Sequence, residues 1–180
     1  MVDGQAAEPV VKRLWDIATD DMAELLRRFG LDLSLVSGAA EIPGSYWGGS
    51  EAGLVGAVLY CRADTPLHSI LHEAGHYICM DAPRRARLYR DAGGDYAEED
   101  AVCYLQILLA DHLPGYDSRR MLADMDAWGY TFRLGSARTW FEQDADTAAQ
   151  WLRVTGLTDA AGQPAWRIRA SDCMPCATAG

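Results

Sequence analysis

Hydrophobic side chains recur every three or four residues over most of the chain, which predicts a mainly helical protein. Five segments carry this pattern: residues 11–29, 67–80, 95–113, 118–128 and 136–154. Gly30 is predicted to end the first helix, because glycine readily adopts the left-handed conformation that follows many helices. The third segment is apolar nearly all round and is predicted to be buried.

The pattern changes between residues 31 and 63, where Gly, Ser and Pro interrupt short apolar runs. Residues 52–61, AGLVGAVLYC, are rich in Val, Leu and Tyr and are predicted to form a strand, with residues 39–49 as a less certain partner. Asp64 or Thr65 before Pro66 is a typical start signal for the helix that follows. We therefore predict an α+β fold with a small antiparallel sheet packed on a helical core.

The chain has 180 residues, which suits one core, and residues 1–156 are interpreted as a single domain. After residue 156 the composition turns to Asp, Gly, Ala and Pro, and only Trp166 and Ile168 are plausible anchors. We predict that residues 157–180 form a C-terminal tail that is partly disordered. No feature of the sequence predicts the oligomeric state.

The net charge of −10 would repel a polyanion, so the sequence argues against a nucleic-acid partner. A local basic segment, residues 83–90, is interpreted as a solvated connection between helices. The longest apolar stretch, residues 52–61, is far below the roughly 18 residues that span a bilayer, so no membrane association is predicted. The first residues do not resemble a secretory signal, and a cytoplasmic location is the expectation.

The five cysteines lack the dense, regular spacing of a disulfide scaffold, and reduced thiols are predicted. The last two, Cys173 and Cys176, form a single CxxC pair. This pair could be a redox site or half of a second metal site, but an inert tail is the favoured interpretation.

The segment LHSILHEAGHYICM contains the pattern HExxH, with His72 and His76 four residues apart and Glu73 directly after the first. On a helix, this spacing places both imidazoles on one face, where they can bind one Zn²⁺, while the glutamate can accept a proton from water. The alternative is an ordinary helix with two core histidines. Other residues already supply its apolar face, however, and small Ala74 and Gly75 would let another element approach the site closely.

A catalytic zinc usually has three protein ligands, so a third must come from elsewhere. The metzincin pattern would require a histidine at the position of Ala82 and is therefore absent. Of the other histidines, His68 lies too far along the same helix and is interpreted as a supporting or solvent-facing residue. His112 is the remaining histidine.

A carboxylate from the start of the 95–113 helix is the better third ligand. Glu98 shares a helical stripe with Ala101 and Leu105 and should point inward, so it is favoured over Glu99. An inward carboxylate needs a partner, which a metal would provide. The alternative role of Glu98 is a capping-box residue with Asp95 as the N-cap.

These motifs resemble the ImmA/IrrE-type metallopeptidases, a group of small gluzincins. The resemblance consists of HEAGH followed by a helix that opens ExxA, with Glu98, Ala101 and Tyr104 in the matching positions, and it covers about residues 53–113. The strand predicted at residues 52–61 also resembles the active-site edge strand of such enzymes. The sequence departs from the family at Val102, where a polar residue is usual, and at Leu105.

The resemblance implies a zincin-like fold in which the HExxH helix and the glutamate-bearing helix face each other across the metal. It implies that Glu73 is the general base in peptide-bond hydrolysis of an intracellular protein or peptide. Four tyrosines could stabilise the oxyanion: Tyr89, Tyr96, Tyr116 and Tyr130. The rival hypothesis is a noncatalytic zinc-bearing domain that binds a regulatory partner through the same cleft.

Overall fold

A computed structural model describes residues 10–170, which form seven α-helices and one three-stranded sheet. The helices are α1 Thr19–Arg27, α2 Leu67–Cys79, α3 Ala82–Arg85, α4 Tyr96–Ala110, α5 Ser118–Trp128, α6 Ala137–Gln143 and α7 Asp146–Val154. The strands are β1 Asp32–Leu35, β2 Gly53–Val55 and β3 Val58–Cys61, and a short 3-10 helix spans Leu14–Asp16. The predicted α+β class is thus confirmed.

The sheet is mixed, and this corrects the antiparallel prediction. In the order β1-β3-β2, β2 runs antiparallel to β3 but β1 runs parallel to it. Residues 52–61 are a hairpin instead of one strand, because Gly56, at a φ of 58°, turns the chain between β2 and β3. The partner expected at residues 39–49 contributes only an isolated bridge between Ser45 and Gly53.

Two of the predicted helices are interrupted. The first one divides into the 3-10 helix and α1, because Ile17 is extended and the backbone N–H of Leu14 donates to the Thr65 carbonyl at 2.9 Å. The segment 136–154 divides into α6 and α7 near Asp144, whose backbone leaves the helical region. By contrast, α5 spans residues 118–128 as predicted, and Gly129 ends it with a φ of 98°.

Helices α2 and α4 pack directly against each other at the centre of the fold. A methyl group added at Gly75 would lie 2.9 Å from Val102 Cγ1, so only glycine permits this approach. The prediction that the small residues of HEAGH allow close contact is confirmed. Helix α4 also packs against α5 and α7, which explains why its sequence is apolar on nearly every side.

The basic segment 83–90 connects α2 to α4 as predicted, but its first arginines bond to the protein rather than to solvent. Arg85 Nε donates to the Tyr77 carbonyl at 2.9 Å, at the end of α2. Arg84 contacts the Glu98 carboxylate on α4. The segment therefore ties the two central helices together.

Residues 157–170 pack on the helical body, so this part of the predicted tail is ordered against it. Trp166 lies 5.4 Å from Phe29 between ring centroids, and the Arg169 N–H donates to the Ile78 carbonyl at 2.9 Å. Ile168 also packs on the core. Cys173 and Cys176 lie outside the described residues.

Cys61, Cys79 and Cys103 are buried free thiols, which agrees with the prediction of reduced cysteines. Burial raises the pKa of the Cys61 thiol to about 12, so it stays protonated and unreactive at neutral pH. Within residues 10–170, no helix is long and apolar enough to cross a membrane.

Candidate metal centre

Helix α2 presents the two histidines of HExxH toward the N-terminal end of α4. It begins after Pro66, while the Thr65 hydroxyl accepts from the Arg62 N–H at 2.9 Å and does not cap the helix. The His72 and His76 rings are 4.6 Å apart between centroids, and their Nε2 atoms are 3.1 Å apart. The predicted convergence of the two imidazoles is therefore present.

The carboxylate that joins them belongs to Glu99. Its Oε1 lies 3.4 Å from His72 Nε2 and its Oε2 lies 3.5 Å from His76 Nε2. Zinc binds imidazole nitrogen and carboxylate oxygen at about 2.0–2.1 Å, so two ligands of a tetrahedral ion are about 3.3 Å apart. The donor separations of these three residues are close to that value, so the group could hold a metal ion.

Glu98, the favoured third ligand, does not reach the histidines. It points inward as predicted and is only 5% exposed, but its carboxylate contacts Arg84 and lies 3.4 Å from Arg169 Nη1. Its backbone N–H donates to the Asp95 carboxylate at 2.9 Å, so the capping interaction also exists. Because α4 is buried on several sides, pointing inward did not specify which partner Glu98 would meet.

Gln106 is a site residue that the sequence analysis missed. Its side-chain carbonyl lies 2.7 Å from His72 Nδ1 and accepts that N–H, which leaves the Nε2 lone pair free for a metal. It is the one amide in the apolar run of α4, two turns after Glu99, and it is fully buried. A lone buried amide at that spacing was the signal that could have identified it.

Burial shifts the pKa values of two residues of the HExxH motif, His76 and Glu73. Burial holds the pKa of His76 well below its usual value, so its imidazole is neutral, which is the form that binds metals. Burial, followed by the nearby Glu51 and Glu99 carboxylates, raises the pKa of Glu73 to about 8. This value belongs to the metal-free protein, and a cation bound beside Glu73 would lower it.

The side chains of His72, His76 and Glu99 lie in an open cleft of about 560 Å³. The residues that line it come from α2, from the start of α4, from the end of α5 and the two residues after it, and from the loops before β2 and before α4: Tyr46, Trp47, Glu51, His68, Ser69, His72, Glu73, His76, Arg90, Asp91, Ala92, Gly93, Glu99, Trp128, Gly129 and Tyr130. The two histidines and Glu99 therefore lie at an open cleft of the protein surface.

Of the four tyrosines considered for the oxyanion, Tyr130 is the one that lines the cleft. Its ring lies 5.9 Å from that of His72 between centroids. Tyr116 is buried and donates to the Asp124 carboxylate at 3.0 Å, whereas Tyr89 and Tyr96 are largely exposed.

His68 does not face solvent, and it is not one of the three residues whose donor atoms converge. It is almost fully buried in the cleft wall, where its ring packs 5.0 Å from Trp128 and 5.6 Å from Tyr130. Burial, followed by His72 and Arg13, lowers the pKa of His68 to about 3, so it is neutral. His112 packs against Trp166 and lies outside the cleft.

The outer edge of β2 is already occupied by the chain itself. Gly53 bridges to Ser45, and the Arg90 N–H donates to the Leu54 carbonyl at 3.2 Å. The Gly56 N–H also donates to the Leu88 carbonyl at 3.0 Å. A substrate could not pair with this strand, in contrast to what the resemblance to an active-site edge strand implied.

Comparisons of the chain with known protein families, with curated proteins and with solved structures find no match. The resemblance to small gluzincins therefore stays a prediction that is based on the residues of HEAGH and of α4.

Proposed function

We propose that this chain is a zinc-dependent peptidase that hydrolyses peptide bonds of a protein or peptide in the open cleft. The observation that supports it is the meeting of the His72 and His76 imidazoles with the Glu99 carboxylate at separations that suit one zinc ion. Glu73 follows His72 directly and lines the same cleft. These are the groups that metal-assisted hydrolysis requires.

In this proposal, His72, His76 and Glu99 hold the ion. A bound zinc ion supplies a Lewis acid that lowers the pKa of water and polarises a substrate carbonyl. Gln106 keeps His72 in the tautomer whose Nε2 lone pair faces the site. Glu73 accepts the proton of the attacking water and then delivers it to the departing amine.

Tyr130 is the group we propose to donate a hydrogen bond to the substrate carbonyl oxygen as negative charge develops there. Burial raises the pKa of its phenol well above the usual value, so the group keeps its proton and remains a donor. Trp128 lies beside it at the end of α5 and covers part of the cleft wall.

A noncatalytic zinc-bearing domain that binds a partner is the second candidate. It is favoured by the occupied edge of β2, where Ser45 and Arg90 take the positions that an added strand would use. A peptide would then have to bind through side chains in the cleft instead of through backbone pairing with the sheet.

The deciding experiment measures bound zinc and the cleavage of a mixed peptide library for the same preparation. The peptidase proposal expects about one zinc per chain together with cleavage, and loss of both in His76→Ala. Glu73→Gln is the matched control, because it should keep zinc and lose cleavage. Stoichiometric zinc with no cleavage of any peptide would favour the noncatalytic domain, and no bound zinc would contradict both candidates.

A further inference from the structure

Glu51 is a cleft carboxylate that the proposed chemistry does not use. Four carboxylates line the cleft, and Glu73 and Glu99 have roles in hydrolysis and metal binding. Asp91 lies on the exposed rim. Glu51 is half-buried two residues before β2, and burying an ionised carboxylate there costs free energy unless a partner offsets it.

The position of Glu51 is fixed from two sides. Trp128 Nε1 donates to its Oε1 at 3.0 Å, and the next residue, Ala52, donates its backbone N–H to the Ser69 hydroxyl at 2.9 Å. Ser69 lies one helical turn before His72 on α2. Trp128 therefore orients the Glu51 carboxylate within the cleft that also contains His72, His76 and Glu99.

Within residues 10–170, the Glu51 side chain has no hydrogen-bond donor other than Trp128 and no arginine or lysine at ion-pair distance. Arg90 is the one arginine among the residues that line the cleft, and it lies 3.8 Å from the exposed Glu41. Burial raises the pKa of Glu51, although the Trp128 hydrogen bond opposes this. A cation beside Glu51 would offset the cost of that burial.

Aromatic rings complete the surroundings. Tyr46 and Trp47 line the same cleft, are 59% and 80% exposed, and pack edge to face with centroids 5.1 Å apart. Trp128 adds a third ring that contacts Glu51 directly. Exposed aromatic faces in the same cleft as a carboxylate favour an ammonium or guanidinium group, because the rings carry negative charge on their faces.

We propose that the cleft has a subsite in which Glu51 binds a cationic group of the peptide, flanked by Trp128 and by the rim aromatics Tyr46 and Trp47. This inference rests on the proposed function, because it names the class of substrate for the same cleft. The net charge of −10 would further attract a basic peptide over a longer range. The cation is an ammonium or guanidinium, carried either by a Lys or Arg side chain or by the free N-terminus.

The test uses the full chain with the Glu73→Gln substitution, so that binding is measured without cleavage. Fluorescent peptides are compared in pairs by anisotropy: lysine against norleucine, arginine against citrulline, and free against acetylated N-termini. We expect the cationic member of at least one pair to bind about tenfold more tightly at low salt, since a charge-assisted contact of this size is typical. The pair that shows the difference identifies the source of the cation.

Adding Glu51→Gln should reduce that difference to less than about threefold, because the amide keeps a carbonyl for Trp128 but carries no charge. Asp91→Asn is the matched control, since it removes an equal charge from the same cleft but leaves Glu51 in place. We expect the preference to survive in it. Bound zinc is measured in every variant and should not change.

Equal affinity of the Glu73→Gln chain for cationic and neutral peptides would overturn the subsite. This comparison does not depend on whether a Glu51 variant folds. An equal loss in Asp91→Asn would also overturn it, because the effect would then belong to the overall cleft charge. Glu51-dependent binding without cleavage by the unsubstituted chain would leave the subsite in place and reject the peptidase. Cleavage without a charge preference would do the reverse.

Discussion

Two neighbouring glutamates at the start of α4 lie in opposite surroundings. Glu98 is buried behind the helix pair and contacts Arg84 and Arg169, so the protein supplies its counter-charge. Glu99 faces the open cleft, where its nearest polar partners are the imidazoles of His72 and His76. Glu98, which is paired with arginines, connects parts of the fold. Glu99, which has no arginine partner among the described residues, is available to bind a ligand.

The same distinction applies to the wider molecule. The acid behind α4 connects three parts of the chain that are distant in sequence, because Arg84 lies in α3 and Arg169 in the C-terminal segment. The cleft, in contrast, is lined by four carboxylates and one arginine among residues 10–170. A bound metal ion or a cationic substrate group would offset the negative charge of the cleft. At Glu98 the two arginines already supply the counter-charge.

The largest expected effect is on catalysis. Glu73→Gln removes the proton acceptor while it preserves the shape of the side chain, so cleavage should fall by about 10²–10⁴-fold with zinc retained. Turnover of a cleaved peptide and zinc content are measured on the same sample. Unchanged turnover would show that another group accepts the proton.

Zinc affinity should separate the two glutamates next. Glu99→Ala removes one of three ligands and should weaken zinc binding by more than about 100-fold. Competition with a chromogenic chelator measures this. Strong zinc loss in Glu98→Ala with retention in Glu99→Ala would reverse the assignment that the structure supports.

Glu98→Ala should act on stability instead. It leaves Arg84 and Arg169 without their shared carboxylate, and since both arginines are partly exposed we expect a loss of about 2 kcal/mol in the free energy of unfolding. Urea denaturation of the metal-free protein measures it. Glu24→Ala, an exposed glutamate in an i,i+3 pair on α1, is the control and should change stability by less than about 0.5 kcal/mol.

Gln106 should have an intermediate effect on the metal. Gln106→Leu removes the acceptor of the His72 Nδ1–H and should weaken zinc binding by about 10-fold or more, whereas Gln106→Glu keeps an acceptor and should bind zinc more nearly as the parent does. Nitrogen NMR of the histidine side chains reports the tautomer directly. An unaltered His72 tautomer in Gln106→Leu would assign Gln106 to packing alone.

The most gradual expected effect, spread over several pH units, is a pH dependence of the stability of the metal-free protein. The pKa of Glu73 is raised from 4.5 to about 8, so the folded state binds more protons than the unfolded state between these values. Its contribution to stability should therefore decline as pH rises from about 4.5 to 8, by at most about 1.4 kcal/mol per pH unit. The depressed pKa values of His68 and His76 act in the opposite direction below pH 6.5. The difference between the parent and Glu73→Gln isolates the glutamate, and a constant difference across this range would contradict the assigned pKa.

Local patterns predicted the elements that carry the site. The spacing of His72 and His76 determined that both imidazoles lie on one face of α2, since any regular helix places residues four apart one above the other. Asp95 predicted the start of α4, and its carboxylate accepts from the Glu98 N–H. The small residues of HEAGH predicted the close approach that Gly75 makes to Val102.

The strands were predicted less well. Helices are stabilised by contacts within four residues, whereas strand pairing depends on distant partners. No local sequence pattern predicts that β1 is the parallel neighbour of β3. The apolar run around Gly56 resembles one continuous strand, although the chain turns at that residue. The edge of β2 was likewise covered by segments that precede and follow it in the chain.

The sequence by itself determined that two histidines lie on one face of α2 and that a carboxylate-rich helix follows it. Only the tertiary structure decided that Glu99 and not Glu98 meets the pair, that Gln106 orients His72, and that Glu51 stands in the same cleft. The physical reason is that a helical pattern fixes the relative directions of side chains but not the identity of what they face. Helix α4 is buried on several sides, so either of its two adjacent glutamates could face the histidines. Glu98 instead contacts Arg84 and Arg169, whose positions the helical pattern does not predict.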